Sequence, residues 1–169
     1  MNEIVKKDKI YAVALMVWGI VFALVYEIPT FWTTPENGGR IFNSPDESAN
    51  FFFTKLFTEK NSLEYSEPLN QQFDNTIHPR AVRVSEKGSL VLESFQVMVF
   101  IYGLIAKFFG TWSIVYITPL FSLFGALYFY KLLKEIFSEK ISLFSSLLLL
   151  FFPGWRYYNS RSMFHNVLF

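Results

Sequence analysis

The sequence predicts an all-α integral membrane protein with about three transmembrane helices and further amphipathic or interfacial helices in a large first outer loop. Of its 169 residues, 52% are hydrophobic and 17% are charged, whereas soluble domains carry about 25% charged residues. The charged residues are also separated by uncharged runs that are long enough to cross a bilayer. A net charge of +1 excludes a nucleic-acid partner, and the lack of cysteine excludes disulfides and thiolate metal sites.

The first uncharged run predicts a transmembrane helix over residues 10–28. Lys6, Lys7 and Lys9 precede it, which places the N-terminus in the cytoplasm and the next segment outside. A cleaved signal peptide shares the basic start and the apolar run, but residues 27–32 contain no small-residue cleavage site. We therefore expect the helix to stay in the membrane.

Residues 29–111 form the predicted extracytoplasmic loop, which is rich in proline and polar residues. Within it, Ser44, Pro45 and Glu47 match a helix start, with a serine N-cap, a proline at the first helical position and the glutamate of a capping box. The predicted helix spans 45–59. Its phenylalanine and leucine residues share one face, so we expect it on the membrane surface or under another loop.

The later apolar runs predict a half-buried helix over 91–108 and transmembrane helices over 112–131 and 141–157. The uncharged part of the first segment is too short to span. Treating it as interfacial leaves the lysine-rich link between the last two helices in the cytoplasm, as the positive-inside rule favours. Residues 158–169 then begin a second outer loop. Because no helix stop closes the chain, we expect the N-terminal part of a longer protein.

Adjacent carboxylates, Asp46 and Glu47, stand at the start of the predicted outer-loop helix. Carboxylate oxygens can bind a divalent cation, or one carboxylate can act as a general base on an acceptor hydroxyl. Acidic residues also favour the first turn of any helix because they offset its dipole. Both interpretations remain open at this point.

Two basic groups are candidate phosphate sites. His78, Arg80 and Arg83 combine an imidazole with guanidinium groups, which bind phosphate or diphosphate bidentately, although a His-Pro pair is also a common turn. Arg161 follows an aromatic stretch and suits an anionic headgroup, whereas Arg156 suits anchoring at the interface. Tryptophan and tyrosine beside these arginines are equally typical of an aromatic belt.

Taken in order, these features resemble the N-terminal part of the C-type glycosyltransferase fold, GT-C. The resemblance depends on Pro45-Asp46-Glu47 in the first outer loop, His78-Pro79 ahead of a half-buried helix, and Ser160-Arg161 after two more membrane helices. It covers essentially the whole chain. The similar branch holds the protein O-mannosyltransferases, the aminoarabinose transferase of lipid A and the bacterial RgtA-like enzymes.

The resemblance implies an inverting transfer of a sugar from a polyprenyl-phosphate donor to an extracytoplasmic lipid, glycan or protein. By position it makes Asp46 the catalytic carboxylate or a ligand of Mg²⁺ or Mn²⁺, Glu47 its partner, and Arg161 a contact to the leaving phosphate. His78 matches the first residue of a His-Pro-Pro element whose second proline is replaced here by Arg80. Asn166 stands where many relatives carry an acidic residue.

The lack of a eukaryotic targeting signal favours the plasma membrane of a prokaryote. A fragment of this size is expected to be inactive alone, because the donor and the acceptor need walls that three helices cannot supply. The competing hypothesis is a small non-catalytic membrane protein whose acidic outer loop is a docking surface. Half of a transporter fits less well, because the predicted spans lack the charged residues of a transport pathway.

Overall fold

The computed structural model describes residues 9–21, 42, 44–160 and 162–164, and these residues are mostly helical. The helices are α1 (Lys9–Val21), α2 (Pro45–Lys60), α3 (Pro68–Gln72), α4 (Gln96–Phe109), α5 (Ile114–Lys134), α6 (Glu139–Phe151) and α7 (Pro153–Asn159), with a 3₁₀ turn at Thr111–Ser113. The strands are β1 (Glu64–Tyr65), β2 (Val82–Val84) and β3 (Leu90–Leu92).

The chain divides into two compact units. The first comprises residues 1–40 and 118–161, and the second comprises residues 41–117 and 162–169. The start of α2, the His78 region and the segment after Arg161 all belong to the second unit. That unit therefore contains most of the residues that the sequence marks as functional.

In the part of the chain that the structure describes, one helix is long and apolar enough to cross a membrane. It runs from Thr111 to Lys134, which is 24 residues with a mean hydropathy of 1.5, and it corresponds to the predicted span 112–131. The predicted span 10–28 is described as far as Val21, where it is the shorter apolar helix α1. Its remainder lies outside the described residues.

The predicted helix over 141–157 is two helices. Helix α6 ends at Phe151 and α7 begins at Pro153, with Phe152 extended between them (φ −61°, ψ 124°). Pro153 cannot donate to the hydrogen-bond ladder, and it disfavours helical geometry in the residue before it. The predicted span over 141–157 is therefore interrupted at this proline, and its crossing of a bilayer stays a prediction.

The segment predicted to form the outer loop is not all helical, because it contains a three-stranded antiparallel sheet in the order β1-β3-β2. Val91 of the central strand lies opposite Glu64 of β1 and Arg83 of β2. The half-buried helix predicted over 91–108 accordingly begins later, at Gln96. The mostly helical character is as predicted, but the sheet and the later start of this helix were not predicted, since a short apolar run such as Leu90–Leu92 has no periodicity to separate strand from helix.

The described residues of the second unit form two hydrophobic clusters. One joins α2 to the sheet and the start of α4, and the other joins α4 to the start of α5 and to Met163. Phe53 and Leu56 of α2 are buried in the first cluster. Helix α2 therefore packs its apolar face under other parts of the segment predicted as the outer loop, which was one of the two expected positions.

The described part of the first unit consists of α1, α5 from residue 118 onward, α6 and α7. Leu15, Ala126, Tyr130 and Leu150 form its buried cluster. Trp155 of α7 donates its indole N–H to the Ser122 hydroxyl of α5 at 2.9 Å. The Pro153 break thus leaves α7 fixed to the helix that it packs against.

The N-terminus of α2 has the predicted capping box. The Ser44 hydroxyl oxygen accepts from the Glu47 N–H at 3.3 Å, and Glu47 Oε2 accepts from the Ser44 N–H at 3.0 Å. Each hydrogen bond satisfies a backbone donor that the helix itself leaves unpaired. This end of the helix is consequently fixed by its own side chains.

We expect Ser44→Ala to lower the free energy of unfolding by about 1 kcal/mol, because the Glu47 N–H loses its acceptor. The measurement is a urea titration of the protein in detergent micelles, followed by circular dichroism. Ser48→Ala is the control, since the exposed Ser48 hydroxyl bonds the Ser44 carbonyl and caps no N–H group. Equal effects of the two substitutions would contradict the capping role.

Candidate functional site

The two adjacent carboxylates at the start of α2 have different environments. Glu47 is 2% exposed, and its Oε2 is bonded to the Ser44 N–H. Asp46 is half-buried and stands on the first turn of the helix. Asp46 is therefore the more accessible of the two carboxylates, while Glu47 holds the end of the helix in place.

Asp46 and Glu47 do not by themselves form a metal site. Among the described residues there is no group of three or more His, Asp or Glu side chains placed to hold an ion. One oxygen of Glu47 is also occupied by the Ser44 N–H. A magnesium ion at this position would take most of its oxygen ligands from water and from a substrate phosphate.

The predicted phosphate-binding residues lie on the surface of the second unit. His78, Arg80 and Arg83 are all exposed, and His78 Nδ1 lies 3.2 Å from the carbonyl oxygen of Pro79. Arg83 is the middle residue of β2, while His78 and Arg80 belong to the loop that leads into that strand. Their side chains are thus accessible to a ligand from solvent.

A cavity of about 440 Å³ lies between the N-terminal half of α2 and the sheet, and we call it the α2 groove. Pro45, the residue before Asp46, and Pro79, the residue after His78, both line it. Two motifs that are far apart in the sequence therefore border one cavity. The remaining lining is mainly aromatic and aliphatic, from Ala49, Phe52, Phe53, Tyr65, Ile77, Val82 and Leu90 together with Ser48 and Glu67.

Asn50 is a site residue that the sequence analysis missed. It lies one turn after Asp46 and is fully buried. Its Nδ2 donates to the Met163 carbonyl at 2.9 Å, and its Oδ1 accepts from the Ser94 hydroxyl at 2.8 Å. An asparagine inside the apolar stretch of α2 was the available signal, because a buried amide requires partners.

Arg161 and Asn166 lie outside the described residues. The described segment between them, residues 162–164, contacts α2 through the bond from Asn50 to Met163. Met163 is also fully buried with Tyr102 and Ile114. The segment that follows Arg161 is therefore anchored in the same unit as the start of α2.

No family model, curated protein or solved structure matches this chain. A half-buried carboxylate on the first turn of a helix can orient or deprotonate a hydroxyl group. Exposed guanidinium groups on the same unit can bind a phosphate.

Proposed function

We propose that the chain is the N-terminal part of a membrane glycosyltransferase that moves a sugar, with inversion, from a polyprenyl-phosphate donor to an extracytoplasmic acceptor. The observation that supports this best is the bond from Asn50 to Met163. It joins the helix that begins at Pro45-Asp46-Glu47 to the segment that directly follows Ser160-Arg161. A transferase of this kind needs its carboxylate held in a fixed position, and this bond helps to fix the helix that carries Asp46.

In this proposal Asp46 accepts the proton of the acceptor hydroxyl. The acceptor oxygen forms a bond to the anomeric carbon, and the bond from that carbon to the phosphate oxygen breaks on the opposite face. The phosphate leaves with the electron pair, and the Arg161 guanidinium stabilises its charge. His78, Arg80 and Arg83 are the further candidates for contact with the donor phosphate.

The apolar surface of α4 and the length of α5 support a membrane location. Helix α4 buries one face against α2, yet its other face is also apolar, with Phe108 83% exposed. The same face carries Val97, Phe100, Ile101 and Leu104. A surface of this kind is unfavourable in water but suits the bilayer or a polyprenyl chain. We place the N-terminus in the cytoplasm of a prokaryote and the outer loop outside.

The test uses Asp46→Asn in the full-length protein, assayed in membranes with a labelled polyprenyl-phosphate sugar. We expect transfer to fall by about 10³-fold, because the amide cannot take the acceptor proton. Glu47→Gln should retain transfer within about tenfold, since glutamine can still accept from the Ser44 N–H. Glu59→Gln, at the exposed far end of α2, is the matched control. Undiminished transfer by Asp46→Asn would refute the catalytic assignment.

A non-catalytic docking protein is the second candidate, and the exposed acidic side chains of the outer loop favour it. They are Glu59, Glu64, Asp74, Glu86 and Glu93. Such a protein would transfer no sugar in the membrane assay. It would instead retain a basic partner at low salt and release it at high salt, because exposed charges are screened.

A further inference from the structure

The α2 groove lies outside the proposed transfer chemistry, yet it has the dimensions of a binding site. Its volume of about 440 Å³ falls within the range of about 300–1,000 Å³ found for small-molecule pockets. Phe52 and Phe53 of α2 line it together with Tyr65, Val82 and Leu90 of the sheet. These walls can remove an apolar body from water, but they would leave the hydroxyls of a sugar largely unpaired.

Glu67 carries the one charge among the described residues that line the groove. Its Oε1 accepts from the Leu69 N–H at 3.3 Å as the N-cap of α3. Its Oε2 makes no hydrogen bond to the described part of the chain, and the side chain is half-buried. A partly desolvated carboxylate oxygen at the edge of an apolar cavity favours a ligand with a cationic donor.

The start of α2 does not convert the groove into an anion site. The Ser44 hydroxyl already accepts from the Glu47 N–H. Asp46 and Glu47 in the first turn also offset the positive end of the helix dipole. Since no lysine, arginine or histidine is found among the described lining residues, the charge of the groove is negative.

We propose that the α2 groove binds a small molecule with an aromatic or branched aliphatic body and one protonated amine. The body packs against the rings of Phe52, Phe53 and Tyr65. The ammonium group donates to Glu67 Oε2. The proposal concerns binding alone and no bond is made or broken, so it can be tested independently of the transferase proposal.

Three probes of nearly equal shape test the proposal: 4-tert-butylbenzylamine, 4-tert-butylbenzyl alcohol and 4-tert-butylbenzoate. Binding to the full-length chain in zwitterionic nanodiscs is measured by calorimetry, with empty nanodiscs subtracted. We expect the amine to bind about tenfold more tightly than the alcohol, which is the value of one charge-assisted hydrogen bond at a half-exposed site. The benzoate should bind most weakly.

Glu67→Gln should reduce the affinity for the amine to that for the alcohol, while its amide oxygen still caps α3. Glu64→Gln is the matched control, because Glu64 is an exposed β1 residue that does not line the groove. Ser48→Trp should abolish binding of the amine and of the alcohol, because the indole ring fills the groove. Lys55→Trp, on an exposed position of α2 away from the groove, should not.

Several results would overturn the proposal. The first is that the benzoate binds as tightly as the amine. The second is that Glu67→Gln leaves the affinity for the amine unchanged. The third is that no probe binds more than it does to empty nanodiscs. Unchanged binding in Ser48→Trp would mean that the probes partition into lipid. If Ser48→Trp does not fold, Glu67→Gln decides alone, since it keeps an acceptor for the Leu69 N–H.

Discussion

Replacing Asn50 by leucine is expected to lower the free energy of unfolding by about 3 kcal/mol, because the buried Met163 carbonyl and the half-buried Ser94 hydroxyl lose their partner at once. The Met163 carbonyl loses a donor at 2.9 Å, and the Ser94 hydroxyl loses an acceptor at 2.8 Å. Leucine has the same branching and the same number of side-chain heavy atoms but is bulkier, so overpacking adds to the effect of the lost hydrogen bonds. Urea titration in detergent micelles measures it.

A double-mutant cycle with Ser94→Ala separates the hydrogen bond from general damage to the core. Ser94→Ala alone should cost about 1 kcal/mol, and it should cost almost nothing once Asn50 is leucine, because the bond is already absent. Additive effects of the two substitutions would show that the bond contributes no stability. In the transferase proposal, Asn50→Leu should also weaken transfer, since it frees the segment after Arg161 from α2.

The sequence was sufficient to predict the elements that are stabilised by interactions between residues close together in the chain. The capping box of α2 is formed by residues that are neighbours in the chain, and Ser44, Pro45 and Glu47 take their predicted positions. The long uncharged run after residue 111 is helical, as its length and apolar character predict. In both cases the determining interactions span no more than a few turns.

The sheet could not be predicted in the same way, because its strands depend on distant partners. Leu90–Leu92 is a strand because β1 and β2 supply hydrogen bonds on either side. A three-residue apolar run that precedes an apolar helix carries no such information. Without the sheet, the α2 groove that it borders was also beyond prediction.

The distance along the chain between a residue and its partner also explains why Asp46 and Glu47 were predicted and Asn50 was not. Asp46 and Glu47 were identified because acids at a helix start are a local pattern. Asn50 was missed because its partner Met163 is 113 residues away. A polar residue within an apolar helix face indicates that a partner exists, but the chain alone does not identify it.

The second prediction with a large effect concerns Gly103, where α4 crosses α2. A Cβ atom at this position would lie 2.4 Å from Cδ1 of the Phe57 ring. The ring has little room to move, because it is 8% exposed and packs against Phe100 at a centroid distance of 5.2 Å, with Lys107 Nζ 3.8 Å from its centre. We expect Gly103→Ala to destabilise the protein by about 2 kcal/mol and Gly103→Leu by about 3 kcal/mol or more.

Gly125 of α5 provides the matched control for this prediction. A Cβ there would lie 3.5 Å from the Trp155 ring, which is an ordinary contact. Gly125→Ala should therefore stabilise its helix by up to about 1 kcal/mol, the usual gain from replacing a helical glycine. Opposite signs for the two alanine substitutions would establish that α2 and α4 approach too closely for any side chain at residue 103.

Relief of the clash tests its cause directly. Phe57→Leu shortens the ring that a new Cβ would meet, so Gly103→Ala should cost at least about 1 kcal/mol less in that background than in the native one. If Gly103→Ala instead stabilises the protein as Gly125→Ala does, the helices are further apart than the Phe57 contact requires. The position of α2 relative to α4 would then need another explanation. Asn50 and Phe57 lie on the same face of α2, so that explanation would have to cover both residues.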